Sequence, residues 1–308
     1  VTVSTVFGDA VTAPHVADLW KTRQDKTRFQ WSSLALLTPA FALLIVLFLI
    51  PMGYAIYLGL TNLTLVGPTA IHWGFTGTQN LIRLKSDTEF WSSLWVTGIF
   101  IVGSIVGVIV VGYGLASLLM RAKPWMRIVV GGIVVVAWMM PAVTAGMTWY
   151  ASTTGSGTFA TLLGMPNSNF LDSQPLLIVT IANIWSMTGF AMLVMGAALR
   201  NIPSEAIEAA VVENASPWQR FRMIILPLMR PTIIAVVLLV ALLSLANFSL
   251  IYIMTQGGPG TATNILPLYS YQQAFSYNNL AYGALIGNVM VLIASIFGVL
   301  YVRIARRT

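Results

Sequence analysis

Residues 202–231 read IPSEAIEAAVVENASPWQRFRMIILPLMRP, a polar and charged island between two long apolar runs. Its succession of residue types predicts two short helices joined by a turn. Pro203 suits the first turn of a helix, where Ser204 and Glu205 place a capping oxygen and a negative charge beside free backbone N–H groups. The first helix is therefore expected from about 204 to 213. Within it Ala209 and Ala210 present almost no side chain, so the surface of a second protein can approach the backbone, and Glu205 and Glu208 flank that flat spot. Asn214 is expected to end the helix, because Asn tolerates the left-handed conformation used at helix ends. Ser216 and Pro217 then supply a cap and a first-turn proline for a second helix. On it Trp218, Phe221 and Ile225 form an apolar stripe, with Arg220 and Arg222 off it, and Pro227 and Pro231 close the unit. Spacing alone leaves two readings open, a solvated loop between membrane helices or a docking element for another protein.

Around this island the chain is membrane-like. Of its 308 residues 57% are apolar and 8% charged, against roughly 25% charged in soluble domains. Six stretches reach the length of about 20 apolar residues that a bilayer core requires: residues 33–60, 92–120, 128–150, 175–199, 232–254 and 280–302, none of them holding Lys, Arg, Asp or Glu. The expected fold is all-α and polytopic, with six transmembrane helices. Residues 1–31 form a tail, residues 32–308 the membrane domain, and residues 201–231 its polar loop.

Charge sets the expected orientation. All sixteen Lys and Arg lie in the connections, and Lys21, Arg23, Lys26 and Arg28 stand just before the first apolar run, with no signal-peptide core ahead of them. An N-terminus so marked is expected in the cytoplasm. Counting spans from there leaves only Arg83 and Lys85 outside, so both termini are expected inside the cell, in the cytoplasmic membrane. The net charge of +7 is then a topology signal, with anionic lipid as an attractor, and nucleic acid is not needed to explain it.

Several chemistries are excluded. There is no cysteine, and His15 and His72 fall on opposite sides of the expected membrane, so neither thiol nor histidine-metal chemistry can be assembled. Nothing matches the phosphate-binding pattern GxxxxGK[ST], and no acidic cluster could hold magnesium. No catalytic residue is expected. Within the spans, Gly98, Gly103, Gly107, Gly112, Gly114, Gly131, Gly132 and Gly146 read as close-packing seams, and Pro39 and Pro51 as kinks. Polar and aromatic side chains enter the membrane at Asn183, Trp185, Ser186, Thr188 and Phe190, then at Ser244, Asn247, Phe248 and Ser249, and at Asn288. Asn183 and Ser186, like Ser244 and Asn247, are three apart and expected on one helical face. Such groups either bond across helices, at about 0.6 kcal/mol on average, or line a wet cavity. The absence of charge in the spans argues against ion or proton coupling.

The run EAAVVENASPWQRFRMIILP resembles the EAA loop of ATP-binding-cassette (ABC) importer permeases. Glu208, Ala209 and Ala210 match its first triplet, Asn214 stands where the family has Gly, and Ile225, Leu226 and Pro227 match its end. LLTPAFALLIVLFLIPMGYAIYLGLTN resembles the opening helix of carbohydrate-importer permeases, TGTQNLIRLKSDTEFW the external segment before their second span, and ANFSLIYIMTQGGPGTATNILPLYSYQQAF their fifth-span end and external Gly-Gly-Pro loop. The resemblance implies the type I importer permease fold of the maltose-permease-like family. It implies that the 201–231 loop couples to an ATPase subunit through Glu205, Glu208, Ala209, Ala210, Asn214, Pro217 and Pro227. The implied partners are a second homologous permease, two ATPase subunits that bind ATP and magnesium, and an extracytoplasmic sugar-binding protein or lipoprotein, with no cofactor on this chain itself.

Alignment to the maltose-type permease places sugar contacts at Ser186, Met187, Phe190, Ser244 and Asn247, with Asn183, Trp185 and Phe248 beside them from the polar and aromatic pattern. Gln256, Gly257, Gly258 and Pro259 are the implied loop facing the binding protein. Within the family the chain resembles the first permease subunit of the mycobacterial trehalose importer, which implies a disaccharide, trehalose, carried by alternating access. Met187 and Ser244 depart from the maltose-type relative. Maltose-type oligosaccharides or glycerol-phosphate are the alternative substrates. An ion-coupled secondary transporter, a membrane-embedded enzyme and a structural scaffold are the rival classes.

Overall fold

The computed structural model describes residues 31–155, 157–165 and 168–306. The tail expected over residues 1–31 lies outside them except for Trp31, as does His15. The chain divides into a unit of residues 1–54 and a unit of residues 55–308. In the first, α1 (Trp31–Leu44) passes through a π turn, Ile45–Leu49, into α2 (Ile50–Gly59), whose last residues belong to the second unit. Proline accounts for the π turn. The Ile50 N–H reaches back five residues to Ile45 O, and Pro51 has no N–H for the carbonyl four residues before it. The same arrangement recurs at Phe221–Ile225, where the Leu226 N–H bonds to Phe221 O and Pro227 follows.

The second unit contains α3 (Gln79–Ser86), α4 (Thr88–Arg121), α5 (Pro124–Met139), α6 (Ala142–Thr153), α7 (Pro175–Arg200), α8 (Ser204–Val212), α9 (Pro217–Arg220), α10 (Leu226–Leu245), α11 (Phe248–Thr255), α12 (Leu266–Tyr271) and α13 (Leu280–Ala305), together with shorter turns. Among the described residues, five helical segments are long and apolar enough to cross a bilayer: Leu37–Gly59, Thr88–Arg121, Pro175–Arg200, Pro217–Leu245 and Leu280–Ala305. A sixth crossing exists only as the pair α5 and α6, set at 105°.

Two of the expected rods are therefore broken. The stretch 128–150 bends because Pro141 lacks a donor and pushes the residue before it out of the helical region; Met140 sits at φ −67°, ψ 130°. The stretch 232–254 stops at Leu245, and Asn247, at φ −81° and ψ 68°, precedes the separate helix α11. Ser244 and Asn247 thus do not share one helical face, as their spacing had suggested.

Glycine seams fix how α4 and α7 run. A Cβ at Gly107 would lie 2.2 Å from Ile184 Cδ1, one at Gly112 2.6 Å from Ala191 Cβ, and one at Gly103 3.1 Å from Thr180. The partners advance together along both chains, so α4 and α7 are parallel. A Cβ at Gly189 would lie 2.6 Å from the Val134 carbonyl oxygen of α5, and one at Gly146 3.1 Å from Ile253 of α11. The seam reading fails for Gly98, Gly114 and Gly132, around which a Cβ would find nothing within 4 Å. Asn288 is glue in the sense considered above, its Nδ2 donating to Ala55 O at 2.9 Å.

At the start of α4 a carboxylate ties three helices. Asp87 caps α4 by accepting from Glu89 N (3.0 Å) and Phe90 N (3.1 Å), and it also accepts from the phenols of Tyr269 (2.6 Å) on α12 and Tyr282 on α13. Arg83 lies over the Tyr282 ring at 4.0 Å, and Gln273 Nε2 donates to Tyr269 OH at 3.0 Å. Burial alone would raise the Asp87 pKa; the hydrogen bonds from Tyr269, Tyr282, Phe90 and Glu89 outweigh it and hold the carboxyl below its ordinary range. Burial and the bond to Asp87 push the Tyr269 phenol up, so it remains a donor.

Candidate functional site

The two breaks converge on one cavity. A space of about 380 Å³ is lined by Trp138 and Met140 at the end of α5, by Ala142 and Ala145 of α6, by Ser186 and Met187 of α7, and by Leu243, Ala246, Asn247, Ser249 and Leu250 around the second break. Every lining side chain is neutral. Interrupted membrane helices free backbone groups and re-aim side chains, and so are common builders of small-molecule sites in transporters.

Beneath the cavity lies a buried polar knot. Asn183 Nδ2 donates to Ser104 Oγ (2.8 Å) on α4 and to Ser244 Oγ (2.9 Å) on α10, while Asn247 Nδ2 donates to Asn183 Oδ1 (2.8 Å). Ser104, Asn183 and Ser244 are each 0% exposed. The Ser244 hydroxyl also points at Met187 Sδ, 3.9 Å away, and Ser186 donates to the Asn183 carbonyl at 2.9 Å.

Of the eight residues expected on a substrate pathway, Ser186, Met187 and Asn247 line the cavity. Asn183 and Ser244 lie under it and orient the break. Trp185 packs edge-on to Trp149 at 6.1 Å. Phe190 meets the cavity only through Trp138, its ring 6.0 Å away. Phe248 stacks on Tyr252 and tilts against Tyr271, both at 5.0 Å, outside the cavity lining. Sequence reasoning missed Ser104 and Trp138, while Ser249, read only as one of the polar residues within the span, lines the cavity. The available signal was Pro141, which marks a break and hence the residues beside it.

The loop expected to dock carries its two helices nearly as read. Asn214 takes φ 55°, and the Ala215 N–H bonds to Ala210 O at 2.9 Å, closing α8. Ser216 caps α9 by accepting from Gln219 N (3.3 Å), and Gln219 Oε1 accepts from Ser216 N (2.7 Å), a reciprocal capping box. Three details differ from expectation. Ser204 makes no cap, because Pro203 occupies the cap position. Ala210 is only 7% exposed and turned into the chain's own body, so Ala209 alone provides the flat outer spot between the exposed Glu205 and Glu208. The apolar stripe packs at one end only: Trp218 lies on Phe221 at 5.4 Å and Phe221 on Tyr113 at 5.3 Å, but Trp218 itself is 66% exposed. Val212 is likewise uncovered, at 82% exposure. Pro217 begins α9 and Pro227 is exposed at the start of α10.

At the opposite end of the bundle, Gln256 (φ 50°), Gly257 (φ 95°) and Gly260 (φ 61°) turn a compact loop. The hydroxyls of Thr255 and Thr263 meet at 2.7 Å inside it, and Thr263 donates to Gly258 O at 3.0 Å. Gln256 and Pro259 are exposed, while Gly257 is buried. Among the described residues no group of His, Cys, Asp or Glu could hold a metal.

The family model for the inner membrane component of binding-protein-dependent transport systems matches residues 90–308, and the chain belongs to that family. It is thus a multi-pass protein of the cytoplasmic membrane. The trehalose/maltose transport system permease protein MalF of Thermococcus litoralis is 32% identical over 241 residues, 75% of this chain and 80% of that protein. The trehalose transport system permease protein SugA of Mycobacterium tuberculosis is 31% identical over 272 residues, 85% and 86% of the two chains. A chain of the crystal structure of a bacterial alginate ABC transporter, in complex with an alginate pentasaccharide-bound periplasmic protein, superposes with a TM-score of 0.73 at 20% identity, over 94% of this chain and 97% of that one. That likeness is one of fold.

Proposed function

We propose that this chain is one of two homologous permease subunits of an ABC importer that carries a disaccharide, trehalose foremost, across the cytoplasmic membrane. The carrying observation is the neutral cavity between the two helix breaks. At about 380 Å³ it has the size of a small-molecule site, and a second permease would close its open side. A sugar needs donors and acceptors for its hydroxyls and an apolar face for its ring. Asn247 keeps its carbonyl oxygen free of the knot, Ser186 and Ser249 add hydroxyls, and Trp138 offers an aromatic wall.

The relatives named for trehalose and maltose transport support the same substrate class. The lack of any charged residue in the lining weighs against ion-coupled transport. In this reading both termini lie in the cytoplasm, as the distribution of basic residues implies. The exposed surface of Glu205, Glu208, Ala209, Val212 and Trp218 seats in an ATPase subunit that binds ATP and magnesium. The Gln256–Pro259 loop faces a sugar-binding protein or lipoprotein outside. ATP-driven closure of two ATPase subunits moves the paired loops together, and α7 and α10 transmit that motion to the breaks.

The test is purification with a tag on this chain, followed by ATPase and uptake measurements with and without trehalose-loaded binding protein. Co-purification of an ATPase and a second permease, with trehalose-dependent stimulation, is the expected result. Glu208→Lys and Ala209→Leu should leave the chain folded yet separate ATP hydrolysis from uptake. A chain that purifies alone and moves solute down a gradient without ATP would overturn the proposal. Stimulation by another sugar and not by trehalose would overturn only the substrate.

A further inference from the structure

A second cavity, of about 310 Å³, shares no lining residue with the first. It lies where the C-terminal end of α4, the N-terminal end of α5 and the C-terminal end of α7 meet. Its wall is apolar, with Leu119, Val135 and Met192 in it, but Arg127 and Arg200 stand in the same lining. Neither guanidinium group has a hydrogen-bond or ion-pair partner among the described residues. Along α7 the lining runs from Met192 to Arg200, which at the helical rise is a depth of about 12 Å.

The glycines add to this. Gly131, Gly132 and Gly196 all line the cleft. A Cβ on Gly132 would meet nothing within 4 Å, and on Gly131 and Gly196 it would find a first neighbour only at 3.9 and 3.8 Å. The seam glycines of α4 and α7, at 2.2 and 2.6 Å, show what glycine does when helix packing needs it. The cleft glycines instead leave room.

We infer that this cleft holds one anionic phospholipid, its phosphate between Arg127 and Arg200 and an acyl chain along the Leu119, Val135 and Met192 wall. Charge complementarity selects the occupant. Two unpaired guanidinium groups match a phosphodiester in fork geometry, and the apolar depth behind them suits hydrocarbon, which free phosphate would leave empty. Trp125, 62% exposed and two residues before Arg127, has the position of an interfacial anchor. The lipid would brace α4, α5 and α7, the helices that carry Ser104, Trp138 and Asn183. This inference does not depend on which solute is carried.

The experiment is native mass spectrometry of the purified chain, titrated with phosphatidylglycerol or phosphatidylcholine. One tightly retained phosphatidylglycerol per chain is expected, with retention falling at least about tenfold in R127Q/R200Q. Gly132→Leu keeps the charges but fills the cleft, and should lower retention similarly. R121Q/K123Q, on the neighbouring turn but outside the lining, should leave it unchanged. The arginine and glycine variants probe the two halves separately, so a failure of either to fold leaves the other to decide. Equal loss in R121Q/K123Q would mean diffuse surface attraction and overturn the site. So would unchanged retention in Gly132→Leu, displacement by inorganic phosphate alone, or protection of the cleft by a partner subunit in lipid-free complex.

Discussion

Two helix breaks border one cavity, and they are made differently. Between α5 and α6 the cause is covalent, since Pro141 has no N–H and Met140 is forced extended. Between α10 and α11 every residue could continue a helix. The Asn247 N–H still bonds to Ser244 O at 3.1 Å; what diverts the chain is the side-chain bond from Asn247 to Asn183, 64 residues earlier. A break written into one residue persists in every state of the protein. A break held by a distant amide can be released, so the hinge of a transport cycle belongs at Asn247 and the fixed wall at Pro141.

The contrast between self-determined and partner-held backbone is tested most severely where the partner is charged. Asp87 holds the first turn of α4 and two phenols at once, so Asp87→Ala removes a helix cap and strands Tyr269 and Tyr282. The expected loss is about 3 kcal/mol, from about 1 for the cap and about 1 for each hydrogen bond. Because the folded carboxyl is held below its ordinary value of about 3.9, this stabilisation is complete above that value and is lost as pH falls through it toward the lowered folded pKa. Thermal unfolding of the purified chain between about pH 3 and 7 should show an acid-side slope that Asp87→Asn abolishes. An unchanged slope would show that the anchor does not act through its charge.

Next in size is Asn183→Leu, which removes all three bonds of the knot. At about 0.6 kcal/mol per interhelical hydrogen bond in membranes, the expected destabilisation is about 2 kcal/mol. Uptake should fall by about tenfold or more, because Asn247 loses the bond that aims it. Pro141→Ala restores an N–H and removes the covalent cause, so the α5–α6 junction can relax toward a continuous helix. Gly189, close-packed on the Val134 carbonyl, still holds the body of α5, and with it Trp138, in place. Its expected cost is below about 1 kcal/mol, with uptake within a few-fold of the parent. Thermal melts and uptake on the two variants decide the matter: if Pro141→Ala were the more damaging, the assignment of wall and hinge would be reversed.

The same contrast explains what could be read in advance. Span positions, the two loop helices and the turn at Asn214 depend on apolar length, caps and residue-specific backbone preference, all local, and all were legible. The break at Pro141 was legible in kind, yet apolar length alone reads straight across it. The break at Asn247, the burial of Ala210 and the roles of Ser104 and Asp87 depend on what lies across the bundle. Ser244 and Asn247 look like one helical stripe until Asn183 is known to sit between them. Glycine is the clearest case, since Gly107 and Gly132 are identical in sequence terms and only their neighbours separate a seam from a cleft.

Asn214 lies between the two kinds and supplies the finest test. Its φ of 55° is one that L-residues adopt at a cost, smallest for Asn and absent for Gly, and no bond to its own side chain contributes among the described residues. Asn214→Gly should therefore preserve the bond from Ala215 N–H to Ala210 O and relieve the strain. The greater freedom of glycine in the unfolded chain offsets part of the gain, which leaves a net stabilisation of about 0.5 kcal/mol, readable as a small rise in Tm. Uptake and its coupling to ATP should not change, because only backbone geometry is asked of this position. If coupling fell while Tm rose, the Asn214 side chain would itself be a contact to the partner, and the turn would have to be counted among the partner-held elements.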